Sequence, residues 1–341
     1  MEPGGPRGRH QQHLGGSNVR ISNERLVEIA DQTGFRSDML EKAIQLLGLL
    51  EALQDHPTLK GKLALKGGTA LNVFYLDIPR LSVDIDLNYI GASGREDMLA
   101  ERPELEAAIR AVCSREGFSV TRVPDEHAGG KWRLRYEAAA GGGGNLELDI
   151  NYMYRVPLWP VIEMDSHALG PYQARGILLV DIHELAAGKL AALLSRRQAR
   201  DLFDSNQLLK QDLLDPGQLR LAFVVYGAGN RRDWRTVSLD DVEFDEREIA
   251  SQLIPTLNRR VVKGLDDVAE FGRRLVDECK ESLSMVLPLT DDEMAFLDSL
   301  LDSGVIEPHL LTTDSEMQQK INNQPMLKWK ALNVASYRAE D

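Results

Sequence analysis

The chain has 341 residues, of which 43% are hydrophobic and 27% charged, so it is long enough to bury a core in one large domain or two ordinary ones. Its net charge of −13 excludes a uniformly basic surface, and any RNA or DNA would have to be bound by a local basic patch. The two distant cysteines argue against a disulfide framework and favour a cytoplasmic location, and no apolar run approaches the ~20 residues of a membrane helix.

The N-terminal region is predicted to be a tail followed by helices. Residues 1–20 are rich in Gly, Arg, His and Gln and are predicted to be disordered. Residues 21–54 carry apolar side chains at helical spacing, which predicts a helical segment. A short buried strand is predicted over residues 63–65, and a helix is predicted over residues 69–76 after a Gly-Gly break.

Residues 83–89 alternate between apolar and polar side chains, which predicts a half-buried strand. Asp84, Asp86 and Asn88 share its polar face, because alternate side chains leave the same side of a strand. The next helix is predicted over residues 103–115, where apolar residues are spaced for one face.

A β-hairpin is predicted over residues 132–151, with a glycine turn at 141–144. Both arms alternate, so one face of the hairpin is apolar. The polar face carries arginines on the first arm and Glu147 and Asp149 on the second. These arginines are expected either to pair with the carboxylates or to shape a binding site.

The second half of the chain has a mostly helical pattern. Asp181 followed by Glu184 is typical of a capping box, which predicts a helix through about Ser195. A second helix is predicted over residues 199–209.

The Asp215-Pro216-Gly217 sequence indicates a domain boundary. We therefore predict an α/β core with a mixed sheet over residues 21–214 and a mostly helical domain over residues 215–341. Arginines cluster at 196–200 and again at 231–235. We interpret the second cluster as a solvated surface.

Candidate chemistry lies around a glycine turn and two aspartates. Gly67 and Gly68 would let the backbone approach a triphosphate closely. Asp84 and Asp86 leave the same strand face, and paired carboxylates suit Mg²⁺ or Mn²⁺.

A third carboxylate on a neighbouring strand would complete a two-metal site, with Asp149 as the first choice and Glu147 as the reserve. Such a site activates a hydroxyl for in-line attack at the α-phosphate of an NTP and stabilises the leaving pyrophosphate. A Gly-Gly turn or a D-x-D strand alone is more often structural. Their order in this chain, with a later acidic strand, favours a nucleotide-dependent transferase.

Two stretches resemble a known family. LALKGGTALNVFYLDIPRLSVDIDLNYI is similar to the first motif of the AbiEii/AbiGii (MenT-like) nucleotidyltransferase toxins. LLVDIHELAAGKLAALLSRRQARDLFD contains a lysine on a helix followed by an Arg-Asp-x-aromatic-Asp run, which is typical of the same family. The resemblance covers roughly residues 60–210.

The resemblance implies a polymerase-β-like α/β catalytic core followed by a helical C-terminal part. It implies that Asp84 and Asp86 bind metal, that Lys189 contacts the triphosphate and that Asp201 is a further catalytic carboxylate. Without the resemblance, the sequence equally favours a solvated Lys189 and an Asp201 that complements the dipole at the N-terminus of a helix. The nucleotide-binding candidates surround the glycine turn: Lys66, Gly67, Gly68, Thr69, Arg80 and Ser82.

The resemblance further implies a toxin of a toxin–antitoxin or abortive-infection system. Such a toxin would transfer an NMP from an NTP to a tRNA acceptor end, block translation and have a separately encoded AbiEi-like antitoxin as its partner. Two alternatives stay open: the same chemistry on a protein or small-molecule acceptor, and an NTP-binding module without turnover. The chain departs from many members by its extension after Leu214, so its acceptor could differ.

Overall fold

The computed structural model describes residues 20–124 and 128–340. The predicted disordered tail, residues 1–20, therefore lies outside the described residues except for Arg20. None of the helices in the described ranges combines the length and the apolar character that a membrane span requires.

The strands of the described residues belong to one mixed sheet. Their bounds are β1 Leu63–Lys66, β2 Asp84–Tyr89, β3 Ser119–Arg122, β4 Gly129–Glu137, β5 Gly143–Asn151, β6 Ile162–Met164 and β7 Ile177–Leu179. The strand order is β3-β4-β5-β2-β1-β7-β6. Strand β2 is antiparallel to β1 and parallel to β5, so the D-x-D strand lies at the centre of the sheet beside the acidic arm of the hairpin.

Helices precede, cover and follow the sheet. Within the described ranges they are α1 Asn23–Thr33, α2 Ser37–Gln54, α3 Gly67–Ala70, α4 Arg95–Arg115, α5 Ile182–Arg196, α6 Ala199–Leu209, α7 Pro216–Ala228, α8 Glu246–Glu248, α9 Arg259–Lys263, α10 Val268–Ser282, α11 Asp291–Ser303, α12 Ser315–Asn322 and α13 Pro325–Glu340. Helix α3 continues as a π-helical turn over Leu71–Tyr75. The predicted mixed sheet and helical C-terminal region are confirmed.

Buried hydrophobic residues form two clusters. The first packs α1, α2 and α4 against the sheet, and its fully buried members include Ile44, Tyr89 and Trp132. The second is built from α5 and the helices that follow, with Phe223 and Trp234 fully buried. Helices on both sides of the predicted domain boundary pack in the second cluster, and the boundary itself stays a prediction.

The hairpin and the helices predicted over 182–195 and 199–209 are confirmed. The helix predicted to begin at Pro103 begins at Arg95 instead. Pro103 lies on the exposed side of α4, where water can bond the carbonyl that the proline leaves without an N–H donor. Buried Met98 packs the preceding turn against the core, so the helix continues through the proline.

The predicted capping box at the start of α5 is wrong in one half. Asp181 caps the helix by accepting a hydrogen bond from the N–H of His183 at 2.8 Å. The Glu184 carboxylate turns away and accepts hydrogen bonds from the N–H groups of Leu158 and Trp159 and from the hydroxyl of Tyr226. Glu184 is therefore a buried connection between three segments of the chain.

Candidate active site

A cleft of about 840 Å³ lies between the central strands of the sheet and helices α5, α6 and α7. We call it the central cleft. Its volume is in the range of small-molecule sites. Most of the predicted site residues line it, namely Lys66, Gly67, Gly68, Arg80, Ser82, Asp84, Asp86, Asp149, Lys189 and Asp201. The two predicted residues that do not line it are Thr69 and Glu147.

Carboxylates of β2 and β5 lie in register on neighbouring strands. Asp86 pairs with Asp149, and Asp84 pairs with Glu147. The Nζ of Lys131 donates to Glu147 at 2.8 Å, and this bond lowers the pKa of Glu147. Asp149 forms no ion pair with any described residue, so it rather than Glu147 is available to a ligand.

The cations near the cleft floor only partly offset the burial and mutual repulsion of its carboxylates. Burial raises the pKa of Asp84, Asp86 raises it further, and Arg200 offsets the shift only in part. The nearest approach of the Arg200 guanidinium to the Asp84 carboxylate is 3.9 Å. Burial also raises the pKa of Asp149, and the charge of Lys66 opposes that shift. A bound cation would stabilise the ionised carboxylates.

The carboxylates fit a cation whose coordination is completed by oxygen atoms of the substrate. In the described ranges, no three or more carboxylate, histidine or cysteine side chains form a group that could hold a metal by themselves. Mg²⁺ is usually bound by one or two carboxylates together with substrate phosphates and water. Asp84 and Asp86 are an all-oxygen pair of that kind, so the residues present fit the predicted Mg²⁺ or Mn²⁺.

The glycine turn makes room for the side chains of the site. Gly67 has a φ of +74°, and a Cβ added there would lie 2.3 Å from Oδ2 of Asp86. A Cβ on Gly68 would lie 2.8 Å from Oγ of Ser82. The buried Thr69 hydroxyl donates to the carbonyl oxygen of Asp84 at 2.6 Å. Thr69 thus fixes the start of β2, whereas the glycines open the cleft floor.

A buried ion network contributes to the wall of the central cleft. Arg80 donates to both carboxylate oxygens of Asp204, at 2.7 and 2.6 Å. Lys189 lies 2.7 Å from Asp204 and 3.2 Å from Asp201. Asn72 donates a further hydrogen bond to Asp204 at 2.9 Å. Asp204, which was not among the predicted site residues, therefore joins Arg80 to Lys189, and Lys189 in turn bonds Asp201.

Asp204 is completely buried. Burial acts to raise its pKa, but the charges of Arg80 and Lys189 outweigh this effect and hold the pKa well below its usual range. Asp204 stands three residues after Asp201 on α6, so the Arg-Asp-Leu-Phe-Asp run was the available sequence signal.

The arginines at 231–235 do not form the predicted solvated surface. Arg232 donates to the carbonyl of Leu194 and pairs with Asp241. Arg235 pairs with three aspartates. These charges hold the helical region together, because each lies between segments that are separate in sequence. Only Arg231 is exposed, and it lines the rim of the central cleft.

An aromatic pair lines the central cleft. The rings of Tyr154 and Tyr226 stack with centroids 5.0 Å apart and planes 16° apart. Tyr226 donates to Glu184 at 2.8 Å, and Lys66 Nζ lies 6.0 Å from the centre of the Tyr154 ring. No local sequence pattern indicated this pair, because it joins the turn after β5 to helix α7.

Comparisons with known proteins agree with this architecture. A family model described as "Nucleotidyl transferase AbiEii toxin, Type IV TA system" matches residues 49–278. No curated protein matches the chain in sequence. Among solved structures, the MenT4 nucleotidyltransferase toxin Rv2826c from Mycobacterium tuberculosis H37Rv is similar, with a TM-score of 0.60 and 17% identity over 91% of this chain and 99% of that one. This likeness confirms the predicted nucleotidyltransferase fold.

Proposed function

The chain belongs to the AbiEii family of nucleotidyl transferase toxins of type IV toxin–antitoxin systems, and on that premise we propose that it transfers an NMP from an NTP to a tRNA acceptor end and so blocks translation. One observation carries the proposal. Asp84, Asp86 and Asp149 converge with the glycine turn and Lys189 in a single cleft.

The phosphates of the NTP are placed by residues of this chain around the glycine turn. Gly67 and Gly68 line the cleft, and glycines let backbone N–H groups come close to phosphates. Ser82 offers a hydroxyl at the same turn. Arg80 and Lys189 supply positive charge, and their pairing with Asp204 holds both cations at the cleft wall.

Asp84 and Asp86 would hold Mg²⁺ or Mn²⁺, which when bound lowers the pKa of the attacking hydroxyl and stabilises the leaving pyrophosphate. Asp149 would be the third carboxylate of the site. The acceptor hydroxyl loses its proton to solvent and its oxygen forms a bond to the α-phosphorus, while the bond from that phosphorus to the α–β bridging oxygen breaks and pyrophosphate leaves. The protein contributes position and charge, as is usual in phosphoryl transfer.

Family membership supports the proposed partner, and an exposed arginine at the rim of the cleft supports the proposed RNA acceptor. Membership of a type IV system implies an antitoxin, and we propose a separately encoded AbiEi-like one. Arg231 is exposed at the rim and forms no ion pair with a described residue, so it is free to bind an RNA phosphate. NTPs and tRNA are cytoplasmic molecules, so the proposed reaction belongs to the cytoplasm.

Incubation with each α-labelled NTP, Mg²⁺ and total tRNA tests the proposal. Wild type should extend tRNA with the label, and Asp86→Asn should not. Glu163→Gln is the control, because Glu163 is an exposed carboxylate on β6 at the far edge of the sheet. Label in a protein or small molecule but not in RNA would contradict the acceptor. NTP binding without pyrophosphate release on any acceptor would contradict turnover.

A further inference from the structure

Asn88 is a polar side chain of the central cleft that the proposed reaction does not use. It is 3% exposed, it lines the cleft, and its Oδ1 has no hydrogen-bond partner among the described residues. Buried polar atoms without partners are rare in folded proteins, because each loses its bonds to water and gains none in return. An unpartnered amide oxygen at a ligand cleft therefore points to a hydrogen-bond donor that the ligand supplies.

We propose that Asn88 and Tyr154 form a nucleoside subsite, in which the Asn88 amide oxygen accepts a hydrogen bond from a ribose hydroxyl and the Tyr154 ring packs against the base. The proposal rests on the proposed function, because the subsite shares its cleft. It adds the residues that would recognise the nucleoside as distinct from the phosphates.

The position of Asn88 along β2 fits this role. Strand residues two apart are separated by about 7 Å, so Asn88 lies one such step beyond Asp86 on the same face. The glycine turn lies beside Asp86 and Asp84 and away from Asn88, because Lys66 pairs with Asp86 and Thr69 bonds the backbone of Asp84. A nucleotide with its phosphates at the turn and its reacting phosphorus at the aspartates would extend its sugar toward Asn88.

The neighbouring strand places an aromatic ring at the same end. Asn88 pairs with Asn151 of β5. The side chain of Asn151 accepts hydrogen bonds from the N–H groups of Met153 and Tyr154, at 2.8 and 3.2 Å. This turn sets Tyr154 beside the row of aspartates, and Tyr226 supports its ring from behind. A tyrosine ring offers a stacking surface to any of the bases.

The nucleoside could be that of the donor NTP or that of the terminal nucleotide of the acceptor. Both present ribose hydroxyls and a flat base. Binding of inorganic tripolyphosphate measures phosphate recognition alone, because this molecule carries the phosphates of an NTP and no nucleoside.

Asn88→Leu is the central variant, since leucine has a similar volume and no polar atoms. It should leave the melting temperature unchanged or raise it, because it removes an unpartnered buried amide oxygen. It should weaken binding of ATP, GTP, CTP or UTP with Mg²⁺ by about fivefold, as expected for one lost hydrogen bond, and leave tripolyphosphate binding unchanged. A merely structural asparagine would give the opposite pattern: a lower melting temperature, with NTP binding and the KM for tRNA both unchanged.

Two controls keep the test specific. Ser205 also has a buried hydroxyl without a partner, yet it does not line the cleft. Ser205→Ala should therefore leave NTP binding at the wild-type value. Tyr154→Phe keeps the ring, so its NTP binding and its KM for tRNA should stay within about twofold of wild type. Tyr154→Leu loses the ring and should weaken whichever of these two interactions Asn88→Leu weakens.

The outcomes assign the source of the nucleoside. Weaker NTP binding with unchanged tripolyphosphate binding identifies the donor. Unchanged NTP binding with a raised KM for tRNA identifies the acceptor. If Asn88→Leu and Tyr154→Leu leave both at wild-type values, the subsite is overturned while the proposed function stands. If the wild type binds neither NTP nor tripolyphosphate, the proposed function falls, and the subsite falls with it.

Discussion

Arg80 and Asp204 form a bidentate ion pair whose two side chains are 3% and 0% exposed. The pair joins the loop before β2 to helix α6, so it connects the glycine-turn side of the central cleft to the second hydrophobic cluster. Lys189 bonds the same carboxylate at 2.7 Å. A single buried carboxylate therefore fixes both cations that face the proposed triphosphate site.

Asp204→Ala is expected to lower the free energy of unfolding by about 3 to 5 kcal/mol, because it leaves two buried cations without their counter-charge. Urea unfolding at pH 7 measures the change. Asp212→Ala, at an exposed aspartate just after the same helix, should change stability by no more than about 0.5 kcal/mol. Equal stability of the two variants would show that Asp204 does not hold the network.

Asp86→Asn is expected to reduce NMP transfer by roughly 10³-fold, since the site loses a carboxylate that would bind the cation. The melting temperature without Mg²⁺ should stay the same or rise, because Asp86 raises the pKa of Asp84 and of Asp149 by repulsion. Thermal unfolding with and without Mg²⁺ and an NTP measures both effects. A variant that still gains stability from the metal and nucleotide would place the cation elsewhere.

The sequence predicts those parts of the site that depend on local periodicity. Asp84 and Asp86 share a face because strand side chains alternate, and the hairpin pattern places Asp149 on the polar side. The parallel register that sets Asp149 opposite Asp86 is a tertiary property. From the sequence alone, the partner of Asp86 could be narrowed only to Asp149 or Glu147, which share one face of a strand.

The rest of the site depends on contacts between distant segments. The role of Asp204 requires α6 to lie against the loop that carries Arg80, and the Tyr154–Tyr226 stack requires α7 to reach the turn after β5. No periodicity within either segment specifies these contacts. Strands β3, β6 and β7 were not predicted for a related reason, because three or four residues are too few to establish alternation.

Gly67→Ala is expected to abolish detectable transfer and to destabilise the fold by about 1 to 3 kcal/mol, because its Cβ would meet the Asp86 carboxylate and its φ is unfavourable for alanine. Gly61 offers a matched control. It has a φ of +76°, similar to that of Gly67, and a Cβ added there meets nothing within 4 Å. Gly61→Ala should therefore show the backbone strain alone and keep its activity. Equal loss of activity in both variants would contradict a specific contact between Gly67 and Asp86.

Glu184 gives the chain a stability that depends on pH. Burial raises the pKa of Glu184 from 4.5 to about 7, and the hydrogen bonds from Leu158, Tyr226 and Trp159 offset this only in part. Because the folded-state pKa lies above the unfolded value, the stabilisation is fully present below about pH 4.5 and is lost as the pH rises through 7. Above that range the fold holds a buried charge, with Asp181 adding repulsion.

Glu184→Gln should mimic the protonated side chain, because its amide oxygen can accept from the two backbone N–H groups while its NH₂ donates to the Tyr226 oxygen. The free energy of unfolding of this variant relative to wild type should therefore increase by roughly 2 to 3 kcal/mol between pH 5 and pH 8. Urea unfolding of both proteins across that range measures the difference. A difference that does not change with pH would mean that Glu184 keeps an ordinary pKa in the fold, so that its hydrogen bonds compensate for its burial.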